Sequence, residues 1–374
     1  MDKDALFALR EKINALDVEL LELLQKRAYI SKQVGKAKQG GSIFYPVREK
    51  EIIAHLQKLN NTLQATEETG EEKQKLPSES IVHIWTEIFS CSPLLQKETS
   101  MAFLGPFGTF SQFAGEELMG KSIHLVPCSD FNTIFAKVHA GEVQCGFVPL
   151  ENSLQGTVGQ CLDLFEEYPV HIIAEHYHRV CQCLLSKNTD LEQIEVVYSH
   201  PQALMQSHVF LKQHCPNAKL VEMSSTAEAA KRALAEENAA TVGHERLCEL
   251  IKGDACLQVL ARDIAGSKEN VTRFALIAKE QNSAMVKKPK TSFTFTVVDK
   301  AGALSQVLQT IQKQDVNLSK LESRPACNRL EGSAWQYRFF ADAQANLCEK
   351  PELMQALKEF CYDIRILGVY EALL

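Results

Sequence analysis

AFLGPFGTFSQFA, residues 102–114, reads as a strand, a glycine-bearing turn and the start of a helix. Such a turn presents backbone N–H groups and a helix N-terminus, an arrangement that favours a carboxylate or phosphate. Three further stretches share the grammar. FVPLENSLQGTV (147–158) places Glu151, Asn152 and Ser153 just past the carboxyl end of a strand, and VVYSHPQAL (196–204) does the same with Ser199 and His200. Ser225-x-x-Glu228 is a capping box that opens another helix. Short apolar runs at 101–104, 145–150, 196–198 and 274–278 alternate with amphipathic segments, the pattern of a parallel α/β domain over 101–280. In open α/β sheets ligands gather outside the carboxyl ends of strands, so these loops predict a cleft for a small, anionic, hydroxylated molecule. A binding domain and an enzyme satisfy that pattern equally.

On the N-terminal side, residues 4–97 are helical in pattern and hold no plausible strand. One helix opens at Lys3 or Asp4 and runs to about Lys38, where Gly40-Gly41 stops it. A second follows Pro46, a charged loop covers EETGEEKQKLPS (67–78), and a third spans roughly Ser80 to Gln96. In the first helix Leu6, Leu9, Ile13, Leu16, Leu20, Leu23, Ile30 and Val34 form one apolar stripe, and Arg27 fills the gap in it. A guanidinium on a buried stripe is costly unless an anion meets it. Lys38 returns to within about 20° of the same face, and no acidic residue shares the stripe, so the missing anion fits a ligand. Arg10 lies about 25 Å from Arg27 along the axis and about 100° around it, out of reach of that pocket. It could serve the equivalent pocket of a second chain. A helix about 52 Å long is also too long for a compact monomeric three-helix domain. Both points predict an intertwined dimer. A dimerising coiled coil with Arg27 snorkelling at its edge fits the same periodicity.

On the C-terminal side, polar residues 282–290 read as a linker. Beyond it come Ser292–Val298, Leu304–Lys313, Val316–Glu322, Trp335–Asp342, Glu352–Phe360 and Ile364–Val369. Strand, helix, strand, strand, helix, strand is the order of a ferredoxin-like α+β unit. A net charge of -7 with no basic tract argues against nucleic acid. No run of about 18 apolar residues spans a membrane. Asp2 and Asp4 stand where a signal peptide needs apolar residues. Twelve cysteines without a C-x-x-C pair predict reduced thiols and a cytoplasmic protein. In EHYHRVCQC (175–183), His176 and His178 share one strand face while Cys181 and Cys183 take the other. That segment is expected to be structural, with no metal.

The helical region, through LREKINALDVELLELLQKR, VGKAK, PVREKEI and SCSPLLQ, resembles the all-helical chorismate mutase family. The resemblance implies that Arg10 of a partner chain and Arg27 grip two substrate carboxylates. It gives Lys38 and Gln96 the ether oxygen, Arg48 the remaining cationic shell and Glu49 the ring hydroxyl, with Ser92 one turn from Gln96. Tyr45, where the family usually carries Asp, and the long 67–78 loop depart from the pattern. NVTRFALI (270–277), with the loops above, resembles prephenate dehydratase across 101–280. That family has two α/β lobes similar to periplasmic binding proteins, with the active site between them. Thr272 would be the catalytic hydroxyl, Arg273 its electrostatic support and Phe274 a ring contact. Asn152, Ser199 and Gln206 would bind substrate, with Ser111, Glu151, Ser153 and Thr157 nearby. VGHERLCELIKGDAC (242–256) departs from the family, and a packing change in one lobe is the expected cause. Gly302-Ala303-Leu304 and Glu322-Ser323-Arg324-Pro325 resemble the signatures of the amino-acid-binding regulatory (ACT) domain, whose ligands sit between two copies.

Together these imply a helical mutase domain (1–98), a dehydratase domain (99–281) and a regulatory domain (291–374), with no cofactor. Chorismate would become prephenate and then phenylpyruvate under control by L-phenylalanine, in a homodimer or dimer of dimers. Two other readings remain open at this point: a dehydratase whose helices only dimerise, and a non-catalytic amino-acid-responsive binding protein.

Overall fold

The computed structural model describes residues 3–37, 46–62, 75–94, 99–251, 256–267, 269–281, 286–298, 300–326 and 336–372. Packing divides the chain into two compact units, 1–99 with 119–124, and 100–118 with 125–374. The helical unit contains α1 (Lys3–Ala37), α2 (Pro46–Thr62) and α3 (Ser78–Leu94). Ile81 and Phe89 of α3 are its buried apolar anchors. Asn60 clasps the segment before α3: its amide donates to Leu76 O at 2.9 Å, and its carbonyl accepts from Leu76 N at 3.1 Å. Among the described residues, the middle of the α1 apolar stripe is left uncovered. Ile13, Leu16, Leu20 and Leu23 are 56, 61, 55 and 61% exposed.

The second unit begins with β1 (Ser100–Leu104), α4 (Phe110–Met119), β2 (His124–Cys128), α5 (Phe131–Ala140), β3 (Cys145–Asn152), β4 (Gly156–Thr157), α6 (Gly159–Glu167) and β5 (His171–Arg179). A second lobe follows: β6 (Cys183–Ser186), β7 (Val196–Ser199), α7 (Pro201–His214), β8 (Lys219–Glu222), α8 (Thr226–Ala235), β9 (Ala239–Gly243), α9 (Leu247–Leu250) and β10 (Gln258–Ala261). The chain then re-enters the first lobe as β11 (Val271–Ala278). The sheets run β2-β1-β3-β11-β5, with β4 beside β3, and β10-β6-β9-β7-β8.

The expected parallel sheet is found in part: β1 runs parallel to β3, and β7 to β8 and β9, but the sheets are mixed. β11 is antiparallel to both β3 and β5, and β6 is antiparallel to β9. The cause is the double crossing between lobes. Val180 N donates to Asn270 O at 2.8 Å, so the returning chain enters where β5 left and must run the other way. The segment that carries Thr272 therefore starts at the junction of the lobes.

The C-terminal part is β12 (Pro289–Val297), α10 (Ala303–Lys313), β13 (Leu318–Pro325), β14 (Tyr337–Ala343), α11 (Pro351–Leu357) and β15 (Cys361–Glu371). Its strands are antiparallel in the order β13-β14-β12-β15, the ferredoxin-like arrangement expected from the element order. Val307 and Ile311 of α10 and Leu353 and Leu357 of α11 pack with Phe293 and Phe295. This part shares a core with the first lobe: Phe340, Leu367 and Tyr370 join Phe135, Phe165 and Ile172 in one cluster.

Candidate active sites

β11 sorts its side chains between two faces. Thr272 and Arg273 are consecutive and point opposite ways. Thr272 pairs in register with Asn152 on β3 and with His178 on β5, so those three side chains form a row on one face. The Asn152 carbonyl accepts from the backbone N–H groups of Leu154 and Gln155 at 3.0 and 3.1 Å, which fixes the direction of its amide. Its NH₂ then donates to Asn270 Oδ1 at 2.8 Å and to Thr272 Oγ1 at 3.0 Å. Asn270, fully buried, donates to Gln206 Oε1 of α7 at 3.1 Å, and Gln182 donates to the same oxygen at 3.1 Å. The Thr272 oxygen thus already accepts, and the Gln206 carbonyl already holds two donors. Among the described residues, what the network leaves for a ligand is donor capacity: the Thr272 O–H and the Gln206 NH₂.

The structure therefore brings together Thr272, Asn152 and Gln206, which the resemblance groups. Asn270 and Gln182, which link them, are additions. Asn270 heads the NVTRFALI stretch, but nothing in its spacing distinguishes it from a turn asparagine. The other expected contacts separate. Ser199 is fully buried and donates to Val242 O at 2.6 Å, tying β7 to β9. Ser153 clasps β11, donating to Glu269 O at 2.6 Å and accepting from Val271 N at 3.0 Å. Phe274 stacks on Phe147 at 4.7 Å between ring centroids and floors the Thr272 face. Ser111 is buried in the first turn of α4. The Ser225 hydroxyl caps α8, accepting from Glu228 N at 3.1 Å.

Arg273, Glu151 and Thr157 face the other way. The Arg273 guanidinium donates to Glu175 at 3.0 Å, Asp342 at 2.6 Å and the Tyr370 hydroxyl at 2.9 Å, and Lys290 meets Glu175 at 2.9 Å. Burial opposes these charges, but the opposite charges outweigh it: Arg273 is held protonated, and the Asp342 carboxyl stays below its ordinary range beside Arg273 and Lys290. Arg273 thus ties the Thr272 strand to the C-terminal sheet rather than facing Thr272. Lys320 of β13 meets Glu151 at 2.6 Å, and Thr157 donates to Glu322 at 3.1 Å. Arg324 grips Asp163 of α6 with two hydrogen bonds of 3.1 and 2.6 Å. A cavity of about 370 Å³ opens on this face, lined by Glu151, Glu175, Arg273, Lys290, Lys320 and Asp342 and not by Thr272. Gly302, at positive φ, caps α10, where Ala303 is buried; Ser323 and Pro325 of β13 are exposed.

The segment 242–251 packs against α4. His244 lies 4.4 Å from the Phe113 ring, and Arg246 covers that ring while pairing with Glu116. Burial, with the nearby His178 and Arg246, lowers the His244 pKa to about 4. Gly108 sits there at a φ of 93°, a left-handed conformation that favours glycine. On β5, His176 and His178 do share a face, and both reach Glu117 of α4, at 3.1 and 2.8 Å. Burial works against the Glu117 charge, yet the two imidazoles hold its carboxyl well below the usual range. The sequence reading missed Glu117, which lies 59 residues before His176.

In the helical unit Arg27 is half-buried, 5.1 Å from the Phe89 ring centroid. Burial lowers its pKa, with Glu49 opposing, and burial raises the Glu49 carboxyl to about 7 against the pull of Arg27. Arg27 and Glu49 therefore share one partly desolvated space across α1 and α2. Arg10 and Arg48 are exposed. Lys38, Tyr45, Gln96, the Ser92 side chain and most of the 67–78 loop lie outside the described residues.

Residues 9–97 match the model of chorismate mutase type II, and residues 101–282 match that of prephenate dehydratase. A bifunctional chorismate mutase/prephenate dehydratase of Aquifex aeolicus is 36% identical, the match covering 97% of this chain and 96% of that one. Another from Stutzerimonas stutzeri is 31% identical over 99% of this chain and 98% of its own. The crystal structure of prephenate dehydratase from Arthrobacter aurescens, in complex with L-Phe, superposes with a TM-score of 0.64 at 30% identity, covering 73% of this chain and 90% of that one. With both domains matched in order and a relative aligned almost end to end, the chain belongs to the family of bifunctional chorismate mutase/prephenate dehydratases.

Proposed function

We propose that the helical unit isomerises chorismate to prephenate and that the cleft beside Thr272 converts prephenate to phenylpyruvate. The observation that carries the second step is the pair of uncommitted donors, Thr272 O–H and Gln206 NH₂, at the end of a hydrogen-bond chain whose acceptors are filled. Loss of water and CO₂ from prephenate consumes one proton and creates an aromatic ring. The leaving hydroxyl needs a donor, which Thr272 supplies, and no protein nucleophile is required. Asn152 holds the Thr272 oxygen, so the hydroxyl's own hydrogen turns outward. The mutase step is pericyclic. It needs a dianion held in a reactive shape, the task assigned to Arg27, Arg48, Lys38 and Gln96 with Arg10 of a second copy. Neither step calls for a metal or cofactor.

A homodimer is part of this reading. The exposed α1 stripe and the placing of Arg10 a whole pocket away from Arg27 support a second copy of α1 as the cover. The C-terminal part is read as an ACT domain whose effector is L-phenylalanine. Contacts of Lys320, Glu322 and Arg324 with the first lobe support it as the route from effector to cleft. A cytoplasmic location goes with this biosynthetic role, and among the described residues no helix is long and apolar enough to cross a membrane.

The test is a coupled assay. Purified protein given chorismate is expected to release phenylpyruvate, and Thr272→Ala to stop at prephenate. Turnover of prephenate but not chorismate would leave the helices as a dimerising arm. Turnover of neither would leave a binding protein.

A further inference from the structure

We infer that Glu117, His176 and His178 form a binding site for one divalent transition-metal ion of the zinc class, independent of the reading above. Their ligand atoms lie within 4.8 Å of one another. The Glu117 Oε2 atom stands 3.1 Å from His176 Nε2 and 2.8 Å from His178 Nδ1. Two imidazoles and one carboxylate are the donor set that zinc, cobalt(II) and nickel(II) prefer. Donors bound at about 2.0–2.2 Å around one ion stand about 2.9–3.4 Å apart, so small side-chain rotations suffice to admit it.

The fold builds this arrangement from two rigid elements. The i,i+2 spacing on β5 puts both rings on one face, and α4 lays the carboxylate across them. No cation competes for it among the described residues, since Arg246 pairs with the adjacent Glu116. Cys181 and Cys183 take no part: their sulfurs approach each other at 3.9 Å elsewhere. His178 is buried, while the side chains of His176 and Glu117 keep 18 and 45% exposure, which leaves an entry path and open coordination positions. Three protein ligands with an open side differ from a closed structural site. The ion would sit beside the cleft, because His178 pairs in register with Thr272.

Metal-stripped full-length protein titrated with zinc chloride in a calorimeter is expected to take up one ion per chain at this site. Glu117→Gln and His176→Ala, both at partly exposed positions, should each weaken that uptake at least about tenfold while thermal unfolding without metal stays close to that of the parent protein. Cobalt(II) guards against the exposed Cys91, Cys256 and Cys348, because thiolate ligation adds a strong near-ultraviolet charge-transfer band. Cobalt bound without that band, and lost in both variants, supports the site. No saturable uptake, uptake unchanged in both variants, or a thiolate band on the bound ion would overturn it.

Discussion

Two adjacent residues, Thr272 and Arg273, lie on opposite faces of β11. Thr272 sits in the polar row with Asn152, whereas Arg273 sits among Glu175, Asp342 and Tyr370. Their substitutions should separate accordingly. Thr272→Ala is expected to lower dehydratase kcat by about a hundredfold or more, with mutase activity and denaturant stability nearly unchanged. Arg273→Ala leaves buried carboxylates uncompensated and should cost about 3–5 kcal/mol in equilibrium unfolding. Equal stability losses in the two variants would erase the distinction. Glu49 gives a second residue-level prediction. Its carboxyl is raised to about 7 by burial, so between the ordinary carboxylate range and pH 7 the folded chain keeps a proton that the unfolded chain has released. Stability must therefore fall as pH rises through that window. Denaturation midpoints measured from pH 5 to 8 should show the decline, and Glu49→Gln should flatten it.

Among the elements, β11 and β13 join the first lobe to the C-terminal sheet. β11 carries Thr272 on one face and Arg273 on the other, so the proposed dehydratase cleft and the C-terminal sheet meet on one strand. β13 adds Lys320 against Glu151, next in sequence to Asn152. Lys320→Met removes that tie without touching the cleft. The phenylalanine concentration for half-inhibition should rise about fivefold, a coupling loss of about 1 kcal/mol, with uninhibited turnover close to normal. An unchanged inhibition curve would remove β13 from the route.

At the scale of the molecule, the exposed apolar stripe of the 35-residue α1 supports the proposed dimer. If each mutase pocket joins Arg27 of one chain to Arg10 of the other, Arg10→Ala and Arg27→Ala proteins should each be inactive alone. Mixed after reversible dissociation, they should recover about one quarter of normal mutase activity, since half the dimers are mixed and each holds one intact pocket. Zero recovery would place both arginines in the same chain's pocket.

Much of this was legible in the residues. The α1 periodicity, the capping Ser225, the strand–helix order of the C-terminal part and the NVTRFALI stretch each rest on neighbours within a few positions, which local sterics and alternation govern. The grouping of Thr272 with Asn152 and Gln206 came through resemblance, and the hydrogen-bond chain accounts for it. The antiparallel entry of β11, the turning of Arg273, Glu151 and Thr157 toward the C-terminal sheet, and the meeting of Glu117 with His176 and His178 were decided by tertiary structure. Those contacts join residues tens to more than a hundred and fifty positions apart, and side-chain alternation alone cannot say which face of a strand meets which partner.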